Sequence, residues 1–179
     1  MLLGLYLYNI GGISVKYFKQ VGYFALDLHY ICGVKYRIMK IAELYGLYKQ
    51  HPVVSTDSRK CPQGALFFAL KGDSFDGNAF AAQALEQGCA YAIVDEAEYA
   101  AGGDERYILV EDVLTTLQQL AHYHRKQFKI PVIQVTGTNG KTTTKELTAA
   151  VLSQKHNVLY TQGNLNNHIG VPKTLLELS

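Results

Sequence analysis

The chain has 179 residues, 48% of them hydrophobic and 18% charged, with 17 Lys and Arg against 15 Asp and Glu. That is enough apolar material to bury the core of one ordinary domain or two small ones, which excludes a disordered chain. A net charge of +2 without any long Lys/Arg block leaves a phosphate backbone nothing to track, so nucleic acid is excluded as an electrostatically recruited partner.

Residues 1–38 differ from everything after them. They hold six of the thirteen tyrosines and four bases, Lys16, Lys19, Lys35 and Arg37, against one acid, Asp27, with no sustained period of 2.0 or 3.6. The uncharged run 1–15 is too short for a membrane span and is interrupted by Asn9, Gly11, Gly12 and Ser14. It also lacks the basic residue that precedes the apolar stretch of a secretory signal. An ordinary protein can start at Met39, so 1–38 read as an extension from an upstream start codon or a poorly ordered arm, with a genuine extra element as the competing reading.

Ile41, Leu44, Tyr45 and Tyr48 recur at helical spacing and predict a helix just after Met39. From residue 53 short apolar runs alternate with helical patterns, which predicts an α/β fold with a mainly parallel sheet. The strand candidates are 65–70, 90–94, 107–110, 132–136 and 157–161. Helices are predicted over 78–87, around Phe80, Ala84 and Leu85, and over 111–128, with an apolar stripe at Val113, Leu117, Leu120, Ala121 and His124. His122 and His124 are two apart and point in different directions, so they read as no metal pair, and His124 reads as a packed residue. Cys32, Cys61 and Cys89 form no close pair and are odd in number, which predicts reduced thiols in a reducing compartment.

Pro131 discourages the helix before it from continuing, which places a candidate boundary at 129–131. The expected organisation is an extension over 1–38, a first α/β unit over 39–128 and the start of a second over 129–179. Residues 171–179 begin like a helix, with Pro172 near the first turn, and stop mid-pattern, so the chain is expected to be cut short. The stable part is expected to be 39–128.

The strongest chemical signal lies at the start of the second unit. Val132-Ile133-Gln134-Val135-Thr136 is a buried-strand pattern, Gly137-Thr138-Asn139-Gly140 is a flexible turn, and Lys141-Thr142-Thr143-Thr144 opens a helix continued by Leu147, Ala150 and Val151. Glycines let backbone N–H groups turn inward and the helix start adds partial positive charge. Lys141 can reach the β- and γ-phosphates, and Thr142 can bind Mg²⁺ through its hydroxyl. A general phosphate loop has its first glycine six positions before the lysine, where this chain has Val135, so the match is to a tighter form. The competing reading is a glycine turn with threonine caps.

The run from Val135 to Thr144 resembles the ATP loop of the Mur ligase family, cytoplasmic ATP-dependent amide-forming enzymes of peptidoglycan precursor synthesis. Flanking segments sharpen the resemblance. Gly163-Asn164-Leu165-Asn166-Asn167-His168-Ile169-Gly170-Val171-Pro172 with Thr174-Leu175-Leu176 is similar to the stretch after the loop helix in the family member that adds D-alanyl-D-alanine. Upstream, Ser55-Thr56-Asp57-Ser58-Arg59, Leu66-Phe67-Phe68-Ala69-Leu70-Lys71-Gly72 and Phe75-Asp76-Gly77-Asn78-Ala79-Phe80 resemble its UDP-sugar-binding domain.

The resemblance implies a small α/β substrate domain followed by the truncated start of a P-loop ATPase domain with a parallel sheet. It implies ATP and Mg²⁺ as cofactors, with Gly137, Thr138, Asn139, Gly140, Lys141, Thr142 and Thr143 at the nucleotide, Lys141 as the catalytic residue and Thr142 as a metal ligand. UDP-N-acetylmuramoyl-tripeptide and D-alanyl-D-alanine are the implied partners. Thr56, Asp57, Ser58 and Arg59 offer hydroxyls, a carboxylate and a guanidinium for a uracil edge or diphosphate, and Asn164, Asn166 and Asn167 offer neutral amides beside the loop. Each group has a plainer reading as a capped turn. Many family members have histidine where this chain has Asn78, so no substrate contact is assigned there. The remaining ATPase domain, with its acidic and histidine metal ligands, and the closing C-terminal domain are not in this sequence, so the 179 residues alone are expected to be inactive. The alternatives are a non-catalytic UDP-sugar- or nucleotide-binding module and the ligase that adds the third peptide residue. Folylpolyglutamate synthase is disfavoured because it lacks the N-terminal domain.

Overall fold

The computed structural model describes residues 39–100, 103–163 and 165–179, together with the backbone of four short strands nearer the N-terminus. Strands β1 (Leu5–Ile10) and β2 (Ile13–Phe18) pair antiparallel, as do β3 (His29–Ile31) and β4 (Val34–Tyr36). The expectation of no regular period in this region misses these hairpins. Along 5–8 leucine alternates with tyrosine, so there is no apolar/polar contrast from which a period of 2 can be read. Cys32 lies outside the described residues.

After helix α1 (Ile41–Gln50) the chain enters a four-stranded parallel sheet made of β5 (Val54–Ser55), β6 (Leu66–Phe68), β9 (Tyr91–Val94) and β10 (Tyr107–Leu109), in the order β10-β9-β6-β5. Between β6 and β9 lie a small hairpin, β7 (Lys71–Gly72) and β8 (Phe75–Asp76), a 3-10 turn (Gly77–Phe80) and helix α2 (Ala81–Glu86). Helix α3 (Val113–Arg125) follows the sheet, and α4 (Lys141–Leu152) and α5 (Gly170–Leu175) complete the element order. The α/β class with a parallel sheet is the one expected from the alternating pattern.

Successive strand residues point to opposite faces, and the core divides accordingly. Leu66, Phe68, Ile93 and Ile108 bury one face against Leu44 and Tyr48 of α1 and Val113, Leu117, Leu120 and Ala121 of α3. Ala65, Phe67, Ala92 and Val94 bury the other face against Ala81, Ala84 and Leu85 of α2. Small alanines on that second face let a short helix lie close to the sheet.

Helix α3 shows how its ends are set. Asp112 caps the start, its carboxylate accepting the Thr115 N–H at 2.6 Å. At the other end the Arg125 guanidinium donates to the carbonyls of Phe128 and Ile130 at 2.7 and 2.8 Å, satisfying acceptors at and just beyond the helix end and leading the chain out to Pro131. Among the described residues no helix is long and apolar enough to cross a membrane.

Two strand expectations fail. Residues 132–136 and 157–161 have no strand ladder, and Val132 and Ile133 are 62% and 64% exposed. A strand exists through its hydrogen-bonded neighbour, and neither segment pairs with the other or with the four-stranded sheet. The predicted helix at 78–87 divides into a 3-10 turn and the shorter α2. Asp76 caps the turn at the Asn78 N–H.

The C-terminal stretch returns to the first unit. Leu176 is buried in the core cluster that contains α1 and α3, and the Tyr48 hydroxyl donates to its carbonyl. His124 is buried, as its place on the apolar stripe predicts, with Nε2 donating to the Leu178 carbonyl at 2.9 Å and Nδ1 3.3 Å from the Tyr45 hydroxyl. Burial, with smaller contributions from Tyr45 and Glu177, pushes the Tyr48 hydroxyl up to about 12, so it stays a neutral donor.

Candidate functional site

The carboxyl ends of parallel strands are where an open α/β sheet offers groups to a ligand. Residues 56–59 occupy that position after the edge strand β5. Ser55, itself buried, shapes the turn: its hydroxyl donates to the carbonyls of Asp57 and Lys60, both at 3.1 Å, and accepts the Asp57 N–H at 3.3 Å. Asp57 accepts the Arg59 N–H at 3.0 Å and is gripped by the same residue's guanidinium, Nε to Oδ1 at 2.9 Å and a terminal nitrogen to Oδ2 at 3.0 Å. These bonds from Arg59 lower the Asp57 carboxyl to about 2. Arg59 remains exposed, Thr56 is half-buried and Ser58 is buried. Asp57 and Arg59 thus form a pre-aligned, solvent-accessible ion pair.

Other strand ends carry a second polar group that composition and spacing do not single out. Asn78 is fully buried and donates from Nδ2 to Asp76 and Asp95, both at 2.8 Å, while its oxygen accepts the Asp95 N–H at 3.1 Å. Asp95 also accepts the Val113 N–H at 3.2 Å. Lys71 bridges Asp95 and Glu96 at 2.9 and 2.8 Å, and those two carboxylates hold its ammonium well above the usual lysine range. Burial pushes the Asp95 carboxyl up, but hydrogen bonds from Lys71, Asn78 and Val113 outweigh it and leave the group below its ordinary value. The signal available in the sequence is positional only: each of these residues lies just past a strand or in the hairpin that follows one.

The glycine turn opens α4. Gly137 and Gly140 have φ of 147° and 75°, and a side chain at Gly140 would project into open space. The left-handed backbone at Gly140, rather than crowding, is what calls for glycine. Gly140 is the residue that caps α4 and brings no side chain to it, so the first N–H groups of the helix stay available to an anion. Lys141 folds back over its own loop, donating to the Gly137 carbonyl and, at 3.2 Å, to the Thr138 carbonyl. Thr142 and Thr143 are exposed beside it. An arrangement of open amides, an ammonium held among the described residues by backbone carbonyls and a hydroxyl exposed beside it fits the phosphates and metal of a nucleotide.

Of the expected asparagines, Asn164 lies outside the described residues. Asn166 is exposed, and Asn167 accepts the N–H groups of Ile169 and Gly170 at 3.1 and 2.7 Å, which starts α5. Among the described residues no hydrogen bond or ion pair joins the 56–59 turn to the phosphate loop. Cys61 and Cys89 are free thiols. Burial and then the neighbouring Cys61 thiol push Cys89 up to about 12, which makes it an unreactive core residue.

Comparison with known proteins adds three findings. Residues 52–125 match the family model described as Mur ligase family, catalytic domain, and residues 135–179 match the Mur ligase middle domain. A UDP-N-acetylmuramoyl-tripeptide--D-alanyl-D-alanine ligase from Synechocystis sp. is 52% identical over 126 residues, which is 70% of this chain and 28% of that protein. The crystal structure of MurF from Acinetobacter baumannii is 43% identical with a TM-score of 0.63, covering 70% of this chain and 27% of its own. MurF from Thermotoga maritima in complex with ADP is 35% identical with the same TM-score, covering 69% and 28%. The chain therefore spans a little over a quarter of the length of these relatives.

Proposed function

Since this chain belongs to the Mur ligase family, we propose that it is part of a ligase that joins D-alanyl-D-alanine to UDP-N-acetylmuramoyl-tripeptide in the cytoplasm, at the expense of ATP. The observation that carries the reading is the order of parts, an α/β unit with a polar turn at its edge-strand carboxyl end followed by an open phosphate loop, in a chain 52% identical over 126 residues to a relative named for this activity. In the proposed division, 39–128 hold the UDP-substrate and 129–179 begin the ATP-binding domain, with 1–38 as an extension.

The chemistry follows from what a carboxylate lacks. It is a poor electrophile until one oxygen becomes a leaving group, so the terminal carboxylate of the peptide takes the γ-phosphoryl group of ATP, releasing ADP, and the amine of D-alanyl-D-alanine then attacks the acyl phosphate, losing a proton and displacing inorganic phosphate to form the amide. Phosphoryl transfer is governed by positioning and neutralisation of charge. Lys141 exchanges the Gly137 and Thr138 carbonyls for phosphate oxygens, and the loop amides at Gly137, Thr138, Asn139 and Gly140 and the start of α4 at Lys141, Thr142 and Thr143 receive the rest. Thr142 is the residue of this chain that would hold Mg²⁺, which when bound would supply further neutralisation of charge. Thr56, Asp57, Ser58 and Arg59 are assigned to the uridine diphosphate, where the Arg59 guanidinium meets a diphosphate without leaving Asp57. Asn166 and Asn167, with Asn164, are assigned to the substrate side of the loop.

Calorimetric titration tests the reading. The 179-residue chain is expected to bind ADP, and Lys141→Ala to weaken that binding at least tenfold. UDP-N-acetylmuramoyl-tripeptide is expected to bind more tightly than UDP-N-acetylglucosamine. Equal affinity for the two UDP-sugars counts against the muramoyl-peptide assignment, and amide formation by the 179 residues alone refutes the expectation that ligation needs the remaining domains.

A further inference from the structure

Lys145 lies one turn after Lys141 on α4, so the two side chains share a face. Unlike Lys141, it is largely withdrawn from solvent, with 17% of its side chain exposed. A lysine is buried to that degree only when its ammonium is partnered, and all three of its donor positions are taken. It donates to the Thr161 carbonyl at 2.5 Å and to the Gly163 carbonyl at 3.1 Å, and it pairs with Glu146 at 2.9 Å. The ammonium also stands 5.6 Å from the centre of the Tyr160 ring.

Those contacts fall on a stretch that has little else to hold it. Residues 157–163 form no ladder, and Gly163 turns through a left-handed φ of 51° into the segment that carries Asn166 and Asn167. Two carbonyls converging on one ammonium, with an aromatic ring beside it, fix where that segment begins. The helix position that holds it is four residues, about 6 Å of rise, beyond Lys141.

We propose that Lys145 is a positioning residue: it sets the asparagine segment against the phosphate loop, so that substrate amides and nucleotide phosphates are held in one frame. This rests on the ligase reading above, and two measurements separate the two ideas. Hydrogen exchange on the 179-residue chain reads the clamp without any activity. Lys145→Met is expected to speed exchange of the amides of Leu165, Ile169 and Gly170, which donate to the Gln162 carbonyl and the Asn167 side chain, at least tenfold while those of the four-stranded sheet stay unchanged. No change, or an acceleration spread equally over the sheet, overturns the proposal.

Steady-state kinetics on the longest native chain that carries this sequence reads the consequence. Lys145→Met is expected to lower kcat at least tenfold with the KM for ATP within threefold of the parent, and Lys145→Arg to restore most of the loss. An unaltered kcat overturns the proposal, as does a KM for ATP that rises in step with the loss, because that places Lys145 in nucleotide binding itself. A parent chain that releases no ADP in response to the tripeptide and D-alanyl-D-alanine defeats the ligase reading instead, and the exchange result still decides the clamp.

Discussion

Residues 39–125 and residues 130–171 carry apolar patterns of similar clarity, and they end in opposite states. In the first region Phe68, Ile93 and Leu117 are fully buried, and each lies on a strand or helix face that another element covers. In the second, Ile133, Leu147 and Val151 are 64%, 64% and 71% exposed, although Leu147 and Val151 sit four apart on a regular helix. The pattern of a strand or an amphipathic helix states what a segment is able to bury. Whether it does so depends on a neighbour supplying the complementary face and, for a strand, the hydrogen-bonded edge. The phosphate loop therefore hangs between a helix that forms by local bonding and a strand segment that has no ladder.

Hydrogen exchange gives the largest contrast. The amides of Leu66, Ala69, Ala92 and Val110 donate across the sheet at 2.8 to 3.0 Å. If they open only with the whole unit, a stability of about 5 kcal/mol slows them on the order of ten-thousand-fold. Amides of 132–136 are expected to exchange near the rate of an unstructured peptide. Comparable protection in both regions breaks the comparison.

Truncating side chains gives the next contrast. Leu120→Ala removes a fully buried group between α3 and the sheet and is expected to cost about 2–5 kcal/mol. Val151→Ala is expected to stay within about 0.5 kcal/mol, because an exposed valine gives up little burial and alanine suits a helix better. Urea denaturation followed by circular dichroism checks both, and a loss above about 2 kcal/mol at Val151 would show that its face is covered in solution.

Much of the first region is legible in the sequence because its signals are local and agree. The strands β6, β9 and β10 lie inside the predicted runs, and the α3 stripe names every buried residue of that helix but Thr116, His124 included. The phosphate loop is legible for a similar reason, since glycines, a lysine and threonines at fixed offsets state the chemistry directly. The Asn78–Asp95–Lys71 group is not, because its members are 7 to 24 positions apart and meet only once parallel strands bring their carboxyl ends together. Lys145 is hidden for a different reason. Its partners are backbone carbonyls at Thr161 and Gly163, and a carbonyl leaves no mark in a sequence.

The Asn78–Asp95 group predicts an intermediate effect with a pH signature. Asp95→Ala takes one of the two acceptors from the buried Asn78 Nδ2 and the side-chain acceptor from the Val113 N–H, which is expected to cost about 2–3 kcal/mol at neutral pH. The folded Asp95 carboxyl lies below its ordinary value, so its contribution is present above the unfolded value near 3.9 and is lost as pH falls through the folded one. Denaturation midpoints of parent and variant should converge below about pH 4. A gap that persists unchanged into that range means that packing, not ionisation, sets the cost.

The smallest effect sharpens the comparison most, because it concerns a residue proposed for the substrate turn, on the closed region, that nonetheless faces water. The Asp57–Arg59 pair is exposed, and such pairs contribute little to stability, so Arg59→Gln should leave the denaturation midpoint where it is. What should move is the Asp57 titration followed by carboxyl-detected NMR. The parent group stays ionised down to about pH 2 because Arg59 hydrogen-bonds it through both backbone and side chain. Glutamine keeps the backbone N–H and loses the guanidinium, so the midpoint should rise part of the way toward the ordinary aspartate value. A full return would assign the depression to the guanidinium alone, and no movement would mean the ion pair does not persist in solution. In the second case Arg59 is a free cation at the carboxyl end of β5, and a diphosphate would have to organise the turn on arrival instead of meeting it already formed.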